Sequence, residues 1–459
     1  MNITGGYDIP LAGKPEEDVD VRQAPDVLHL PLWTRRFVFT EVEVEHGQEV
    51  EAGQPLARAT EAHDVPLLAP MDGTVDLEAA EEHVTLREVG ERRTEPIPPE
   101  TVRERMPERL KPAPREIGTL MELGAWQYLA EGLTGEVPDP IEVPRAVVVS
   151  TLNSEPFSAR GDVQLSSHMD AFRRGLERIQ DQIEYAPIYV AVPETESELG
   201  AGLRKYLRGR AWVHGVTVPS RYPGGDLELL SQELVGGSPS DGPIWGLMTA
   251  GVLAIERTLN ERVPCDTSLT TIGGPAAENP RHILAPIGYP LELLVGDAVE
   301  SEQVRVICGG VMTGPELHDI QQGLHAGCTG LTLLEEHEGR ELLSWVRPGA
   351  DRNSYSNCFL SSLWGEVEES LTTALRGEKR PCVSCNYCSE VCPVDIRPQQ
   401  IHKYIYSDAL EEVEAARVDL CIGCGLCSYV CPSKIELRSQ MLDAQEQVRR
   451  ELHPEEEAE

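Results

Sequence analysis

The sequence predicts an α/β protein of several domains that ends in a small, helical, cysteine-rich domain. Its 459 residues are enough for about three or four domains, and hydrophobic residues make up 40% of them. Apolar runs of strand length alternate with helical patterns through the middle of the chain. Eight of the 12 cysteines fall in two short runs near the C-terminus, which indicates a separate domain there.

Residues 1–100 are predicted to form a barrel-sandwich hybrid. Short strands with turn signals between them fill residues 37–87, where Val42 and Val44 alternate with glutamates as in a half-buried strand. The pattern resembles the biotinyl and lipoyl carrier domains, which present a lysine on the central hairpin. Here the corresponding stretch, EAHDVP, has His63 and no lysine, so we expect the scaffold without the swinging arm.

The middle of the chain is predicted to contain a parallel sheet. Residues 101–144 are rich in proline and glutamate and are predicted to be a linker. Residues 145–275 are predicted to form a Rossmann-like α/β domain. Two apolar runs, 145–153 and 187–193, flank a helical pattern at 168–183, and this order is typical of a βαβ unit.

Four further stretches complete the predicted organisation. Residues 243–260 have the length and apolar face of a helix, and the glycine-punctuated, strand-like residues 276–348 predict a small β-grasp (SLBB-like) domain. A helical connector is predicted at 349–380, and a helical cysteine-rich domain at 381–445. Residues 446–459 are predicted to be an acidic, disordered tail.

The two cysteine runs, CVSCNYCSEVCP and CIGCGLCSYVCP, share the spacing C-x2-C-x2-C-x3-C-P. This spacing predicts two [4Fe–4S] clusters, because three close thiolates bind one cluster and the fourth binds the other. The predicted ligands of cluster 1 are Cys382, Cys385, Cys388 and Cys431, and those of cluster 2 are Cys421, Cys424, Cys427 and Cys392. Zinc, or thiols without metal, is the alternative, although structural zinc usually takes two separated C-x2-C pairs. The helix-forming residues between the runs favour an α-helical dicluster ferredoxin domain.

The remaining cysteines and histidines carry no recognisable motif. The other cysteines are isolated in the sequence and are predicted to be packing residues: Cys265, Cys308, Cys328 and Cys358. His318 and His325 are seven residues apart, and surface or capping roles are favoured over a metal pair. Walker A, Rossmann G-x-G-x-x-G, zincin H-E-x-x-H and hydrolase G-x-S-x-G motifs do not occur in the sequence.

Composition excludes some partners and suggests a compartment. The formal net charge of −37, from 77 acidic and 40 basic residues, argues against a nucleic-acid partner and against broad attachment to anionic lipid. The start of the sequence does not have the build of a signal peptide, and no apolar run reaches the roughly 18–20 residues that cross a bilayer. We therefore expect a cytoplasmic protein that docks on a membrane partner.

Several quoted segments resemble one family of membrane-bound oxidoreductases. GGYDIPLAGKPE, VRVICGGVMTG and EEHEGRELLSWVRPGADRNS, together with the barrel-sandwich segment, resemble NqrA, which belongs to the Na+-translocating NADH:quinone reductase. DLCIGCGLCSYVCPSKIELRSQM resembles RnfC, which belongs to the related Rnf electron-transport complex. The resemblance covers nearly the whole chain and implies a subunit of an ion-translocating complex.

The sequence departs from both relatives. The NqrA family generally lacks the cluster cysteines, whereas all eight are present here. RnfC has a glycine-rich loop, G-x-G-G-A-G-F-P-T, for FMN and NADH, and residues 121–138 (MELGAWQYLAEGLTGEVP) replace it here. A flavin phosphate needs closely approaching backbone N–H groups, so FMN is not expected.

Two fragments are still similar to the flavin-binding relative. They contain the candidate cofactor-binding residues Asn153, Glu155, Tyr222, Gly224, Gly225 and Asp226. One interpretation is a vestigial flavin or nucleotide pocket at the end of a strand. Inherited turn chemistry is the favoured alternative, because Glu-Pro and Pro-Gly-Gly form turns without a ligand.

The resemblance and the cysteine runs together predict an electron-transfer iron–sulfur subunit of an Nqr/Rnf-type complex. Its partners would be the membrane subunits and a flavoprotein or ferredoxin donor, on the inner face of the cell membrane. The chain itself would carry out no hydride transfer. Two alternatives remain: a flavin-dependent NADH diaphorase similar to cobalamin reductases, and a structural docking subunit whose clusters are redox-silent.

Overall fold

The computed structural model describes residues 3–152, 155–183, 185–195, 197–299, 303–336 and 379–452, and also residues 363, 367, 368, 370, 371 and 373. Asn153, Cys358, most of the predicted connector and residues 453–459 lie outside this set. The strands are β1 (Val19–Val21), β2 (Val27–Pro31), β3 (Glu41–Val42), β4 (Glu49–Val50), β5 (Pro55–Ala59), β6 (Val65–Leu68), β7 (Gly73–Asp76), β8 (His83–Arg87), β9 (Leu129–Glu131), β10 (Ala146–Ser150), β11 (Ile188–Pro193), β12 (Val213–Val218), β13 (Ile244–Met248), β14 (Thr267–Gly273), β15 (Arg281–Pro286), β16 (Val304–Cys308), β17 (Glu316–Leu317) and β18 (Gly330–Glu335). The helices are α1 (Pro99–Arg105), α2 (Arg115–Glu122), α3 (Gly161–Gln182), α4 (Glu198–Leu207), α5 (Leu227–Leu234), α6 (Thr249–Glu261), α7 (Leu291–Gly296), α8 (Tyr387–Glu390), α9 (Pro398–Tyr406), α10 (Leu410–Ala415), α11 (Leu426–Tyr429) and α12 (Leu437–Leu452).

Two small antiparallel sheets form the N-terminal barrel sandwich. Their strand orders are β2-β8-β7-β4 and β3-β5-β6, and their inner faces bury Leu28, Leu56 and Leu86 completely. His63 lies in the turn between β5 and β6, in a left-handed conformation. The two sheets form the barrel sandwich that the sequence predicts for this part of the chain.

The stretch predicted to be a linker is folded and partly buried. It contains α2 and β9, and β9 pairs antiparallel with β13 at the edge of the α/β sheet. Trp126 is fully buried and packs edge-on against Trp245, with ring centroids 5.3 Å apart. Pro114, one of the prolines that suggested a linker, directly precedes α2, where it does not interrupt the helix.

A buried ion pair connects this stretch to the barrel sandwich. Both terminal guanidinium nitrogens of Arg58 donate to the Glu122 carboxylate at 2.9 Å, and both side chains are almost fully buried. Burial raises the pKa of Glu122, whereas the Arg58 guanidinium opposes that rise. The two-point geometry fixes α2 against β5.

The α/β domain has a sheet of order β12-β11-β10-β13-β9, parallel except for β9. The single helix expected at 243–260 is instead strand β13 followed by α6. Strands buried on both faces of a parallel sheet form continuous apolar runs, which periodicity does not distinguish from a buried helix.

A six-stranded mixed sheet of order β1-β15-β14-β18-β16-β17 follows. Its core includes Ile272, Ile283 and Leu331, all fully buried. β14 lies within the range assigned to the Rossmann-like domain, yet it pairs with β15 and β18. β1 comes from the N-terminal segment and pairs parallel with β15, so this sheet is assembled from distant parts of the chain.

Short helices form the C-terminal domain. α9, α10 and α12 pack around a core that includes Ile401, Val413 and Met441. Residues 446–452, predicted to belong to a disordered tail, form the end of α12, because Val448 is buried in the same core. Among the described residues, no helix is long and apolar enough to span a membrane.

Candidate metal centre

The two cysteine runs adopt the same local backbone. Each contains a single helical turn, α8 in the first run and α11 in the second. The residue before each turn has a positive φ: 71° at Asn386 and 81° at Gly425. Asparagine and glycine are the residues that adopt this conformation at least cost. The turn therefore places the second and third cysteines of each run on one side of the loop.

Each set of four predicted ligands lines its own small cavity. The first cavity is lined by Cys382, Cys385, Cys388 and Cys431, and the second by Cys392, Cys421, Cys424 and Cys427. In both cavities three cysteines come from one run and the fourth from the other. Among the described lining residues there is no carboxylate and no imidazole. Four thiolates are the donor set of a [4Fe–4S] cluster, so the residues present fit that group.

Burial makes these thiols costly to ionise without a metal. It raises the pKa of Cys388 to about 11, and the nearby Cys385, Cys431 and Cys382 add to the rise. It raises the pKa of Cys424 to about 12. A cluster held here would take the thiolate forms of these cysteines, so its binding would release protons.

Hydrogen bonds stabilise the loop of the first cysteine set, which lies near the protein surface. Gln399 Oε1 accepts a hydrogen bond from Ser389 Oγ at 2.6 Å, and Gln399 Nε2 donates to Asn386 Oδ1 at 2.7 Å. The backbone N–H of Ser384 donates to Cys382 Sγ at 3.4 Å. Val383, between these cysteines, has 64% of its surface exposed. The first set thus lies close to solvent.

The second set is enclosed by other elements. Arg438 Nε on α12 donates to the Gly423 carbonyl at 2.6 Å, and Gln445 Nε2 donates to the Cys421 carbonyl at 2.8 Å. Tyr222 of the α/β domain donates its hydroxyl hydrogen to the Cys424 carbonyl at 2.6 Å. This second cysteine loop therefore lies at the interface between the ferredoxin and α/β domains.

The N-terminal segment ties the two domains together. The Gly6 N–H donates to the Val391 carbonyl at 2.9 Å, and the Tyr7 N–H donates to the Tyr222 carbonyl at the same distance. Ile9 and Leu11 are buried in one cluster with residues of both cysteine runs. The N-terminal segment thus packs against both cysteine runs of the candidate metal centre.

Glu155, predicted as a possible flavin ligand, holds a loop of the six-stranded sheet. Its carboxylate accepts hydrogen bonds from the backbone N–H groups of Gly310, Met312 and Thr313 at 3.1, 3.0 and 3.1 Å. The Thr313 hydroxyl adds a fourth, at 2.8 Å. This loop belongs to the segment VRVICGGVMTG. The fragment that contains Glu155 therefore contacts one of the segments that resemble NqrA.

The second predicted fragment makes comparable structural contacts. Asp226 Oδ1 accepts from the Leu229 N–H at 2.9 Å and caps α5, while burial raises the Asp226 pKa to about 6. The Gly225 carbonyl accepts from Ser150 Oγ at 2.8 Å. Gly224 is packed so closely that an added Cβ would lie 2.7 Å from a backbone oxygen. Glu155, Gly224, Gly225 and Asp226 thus all have close contacts within the protein.

Sequence reasoning missed one cluster of side chains. Cys308 and Cys328, expected to be isolated, have their sulfurs 3.0 Å apart, and His325 Nε2 lies 3.8 Å from Cys308 Sγ. Cys308 is 20 residues from Cys328 in the sequence, and no spacing motif links the three residues. Cys265 instead packs with its sulfur 3.6 Å from Thr258 Oγ1, and burial raises its pKa to about 11.

Three family models match this chain. Residues 1–85 match the NqrA N-terminal barrel-sandwich hybrid domain, and residues 116–227 match the NqrA second alpha/beta domain. Residues 381–436 match a 4Fe-4S dicluster domain. The N-terminal and α/β domains thus resemble those of NqrA, and the cysteine-rich region matches a 4Fe-4S dicluster domain.

Two curated NqrA proteins are similar to most of the chain. The chain is 25% identical over 412 residues to NqrA of the Na(+)-translocating NADH-quinone reductase from Pseudomonas aeruginosa (strain UCBPP-PA14), covering 88% of this chain and 89% of that protein. It is 25% identical over 408 residues to NqrA of Alcanivorax borkumensis, covering 87% and 88%. The predicted resemblance to NqrA is confirmed. Among solved structures, an NAD+-reducing [NiFe]-hydrogenase aligns with a TM-score of 0.41 and 13% identity, covering 79% of this chain and 72% of that chain.

Proposed function

We propose that this chain is the iron–sulfur subunit of an Nqr-type ion-translocating membrane oxidoreductase and relays single electrons through two [4Fe–4S] clusters. The observation that supports this most strongly is the pair of cavities, each lined by four cysteines. The similarity to NqrA supports the assignment to an Nqr-type complex with membrane partner subunits. A relay function similar to that of RnfC follows from the eight cysteines.

The cysteines have defined roles in this proposal. Cys382, Cys385, Cys388 and Cys431 would bind cluster 1, and Cys421, Cys424, Cys427 and Cys392 would bind cluster 2. Each bound cluster supplies a site that accepts and releases one electron. Because Cys392 and Cys431 cross between the runs, the protein holds the two sites side by side. Hydrogen bonds such as that from Ser384 to the Cys382 sulfur favour the more negative, reduced state.

The positions of the two sites suggest how partners are engaged. The cysteines that would hold cluster 1 lie near the exposed Val383, so a flavoprotein or ferredoxin donor would dock there. The loop that would hold cluster 2 contacts Tyr222, and the N-terminal segment packs against the residue next to Cys392. The barrel-sandwich and six-stranded sheet domains would then bind the membrane subunits, on the cytoplasmic face of the membrane.

The alternative of an NADH diaphorase requires a flavin site in this chain. Glu155, Tyr222 and Asp226 are each engaged in contacts within the protein, which supports a chain without bound FMN. In the segment that replaces the glycine-rich loop, Trp126 is buried and its Nε1–H donates to the Pro138 carbonyl at 3.0 Å.

Anaerobic reduction of the reconstituted protein tests this proposal. NADH is added with and without FMN while cluster absorbance and the EPR signal of reduced clusters are followed, and dithionite serves as the positive control. Reduction by dithionite alone is expected. Reduction by NADH with FMN would overturn the relay proposal in favour of a diaphorase.

A ligand substitution separates a relay from a redox-silent docking protein. Cys388→Ser should abolish electron transfer through the assembled complex and alter the EPR signal of cluster 1. Cys265→Ser is the matched control. Burial also raises the pKa of the Cys265 thiol, but Cys265 lines neither of the two cysteine cavities. Full turnover by an assembled Cys388→Ser complex would show that the clusters are redox-silent.

A further inference from the structure

Two cysteines outside the metal centre form a close pair in the six-stranded sheet. Cys308 ends β16 and is partly exposed, whereas Cys328 precedes β18 and is fully buried. Their sulfurs are 3.0 Å apart, and His325 Nε2 is 3.8 Å from Cys308 Sγ. The three side chains are close enough together to bind a metal ion or to act as a redox-active thiol pair.

The hydrogen bonding of His325 argues against a metal. The Gly327 N–H donates to His325 Nδ1 at 3.2 Å, so a neutral ring carries its proton on Nε2, facing Cys308. A histidine that binds metal through Nε2 normally donates a hydrogen bond from Nδ1 instead. The sulfur–sulfur distance is also shorter than the ~3.7 Å expected for two thiolates on tetrahedral zinc with bonds of about 2.3 Å.

The surroundings make the two thiols unequal. The hydrogen bond from the Cys328 thiol, together with the His325 side chain and Arg35, lowers the pKa of Cys308 to about 5 against the effect of burial. The same contact and complete burial raise the pKa of Cys328. These shifts favour a thiolate at the partly exposed Cys308 and a thiol at the buried Cys328. This asymmetry is typical of an attacking and a resolving cysteine.

We propose that Cys308 and Cys328 form a dithiol–disulfide pair that reduces small-molecule disulfides. The Cys308 thiolate attacks one sulfur of the substrate RSSR, which forms the mixed disulfide Cys308–S–S–R and releases RS−. The Cys328 thiol passes its proton to RS−, and its sulfur then attacks Cys308 Sγ and releases a second RS−. The two cysteines are oxidised to one disulfide, and the substrate is reduced to RSH and RS−.

The geometry accommodates each of these steps. Forming the Cys308–Cys328 bond requires the sulfurs to approach by only about 1 Å, to roughly 2.05 Å. His325 is a positioning residue that holds the thiolate through its Nε2–H. It also lines a cavity of about 540 Å³ together with Arg35 and Cys265, so a small disulfide bound there would approach Cys308 from the side of His325. The proposal does not depend on the clusters.

Peptide-level mass spectrometry tests the proposal on the full chain with its clusters bound. The protein is incubated anaerobically with glutathione disulfide, and free thiols are alkylated. Wild type should form a Cys308–Cys328 disulfide, Cys328→Ser should accumulate glutathione on Cys308, and Cys308→Ser should leave Cys328 unmodified. Cys265 lines the same cavity, but burial raises its thiol pKa, so it is the internal control for thiol reactivity and should remain a thiol. Equal modification of Cys265 and Cys308 would overturn the proposal.

A second measurement examines the thiolate directly. The alkylation rate of Cys308 at pH 6 should exceed that of Cys265 at least ~10-fold, as the thiolate fractions require. His325→Gln should slow Cys308 alkylation at that pH by about 2-fold, because a rise in its pKa from about 5 to about 6 lowers the thiolate fraction from about 0.9 to about 0.5, and should not change Cys265. Unchanged alkylation in His325→Gln would overturn the role of the histidine. One zinc per chain, lost in both Cys308→Ser and Cys328→Ser, would replace the redox pair with a metal site.

Discussion

At Gly5 the N-terminal segment meets the backbone of the first cysteine run. Gly5 has φ of +64°, and a Cβ added there would lie 2.4 Å from the Cys392 carbonyl oxygen. The neighbouring Gly6 donates a hydrogen bond to Val391. A side chain at Gly5 would therefore push the segment away from the loop that carries a predicted cluster ligand.

Gly5→Ala is expected to lower the free energy of unfolding by about 1–3 kcal/mol, from backbone strain and the clash together. It should also speed the loss of iron to a chelator. Gly47→Ala is the matched control, since Gly47 has a similar φ of +78° but nothing within 4 Å of the added Cβ. Thermal unfolding and iron release measure both effects. Identical behaviour of the two variants would show that the close approach at Gly5 contributes nothing.

His282 gives a pH dependence that can be worked out from one residue. Its side chain is buried on β15 with Nδ1 2.8 Å from Thr271 Oγ1, and burial lowers its pKa to about 4. The unfolded value is about 6.5, so between these values the unfolded chain binds more protons. The free energy of unfolding therefore falls as the pH decreases from about 6.5 to about 4.

Melting temperatures between pH 4.5 and 7 test this dependence. His282→Gln should flatten the decline in Tm relative to wild type, because the titrating group is gone. His318→Gln, which replaces a histidine with 85% of its side chain exposed, should keep the wild-type slope. If His282→Gln kept the full slope, the pH dependence would have to come from other groups.

At the scale of elements, a carboxylate joins two domains at the loop after β16. Glu155 lies beyond the end of β10 in the α/β domain and accepts four hydrogen bonds from Gly310, Met312 and Thr313. Hydrogen bonds to a charged group contribute more than neutral ones, about 1.5–3 kcal/mol each. The contact orients the loop that also packs near Gly425 of the second cysteine run.

Glu155→Gln is expected to destabilise the protein by about 1.5–3 kcal/mol, because the amide keeps the shape but loses the charge. The measurement is the Tm, recorded with and without added FMN. Glu49→Gln, at an exposed position on β4, is the control and should have little effect. A Tm difference between wild type and Glu155→Gln that appeared only in the presence of FMN would instead assign Glu155 to a flavin site.

At the scale of the whole molecule, charge dominates. The chain has 77 acidic and 40 basic residues, a net charge of −37. Repulsion between these like charges destabilises the folded state. Salt screens such repulsion, and the Debye length falls from about 10 Å at 0.1 M to about 3 Å at 1 M. Compact states gain most from this screening because their charges lie closer together than in the unfolded chain.

The Tm should therefore rise with KCl from about 0.05 M and level off near 1–2 M, where screening is nearly complete. Sucrose at matched osmolality is the control, since it stabilises by exclusion from the surface and does not screen charge. A Tm that did not change with KCl, or fell, would show that the acidic surface does not limit stability.

Much of the metal centre could be predicted from the sequence, because its ligands are local. The first three cysteines of each run are closely spaced, and a left-handed position at Asn386 or Gly425 shapes each loop. The barrel sandwich was predictable for the same reason, since its strands are joined by short turns. The linker prediction was less informative, because prolines mark helix starts as well as extended chain.

What only the tertiary structure decided depends on contacts between residues distant in the sequence. The membership of β1 and β14 in one sheet, the role of Glu155 and the position of Tyr222 on the Cys424 loop all come from packing of separate domains. The pairing of Cys308 with Cys328 is of this kind too. The sequence by itself determined which residues are suited to bind metal, since their spacing is a local property. The fold decided which other residues meet, because burial and strand pairing act over the whole chain.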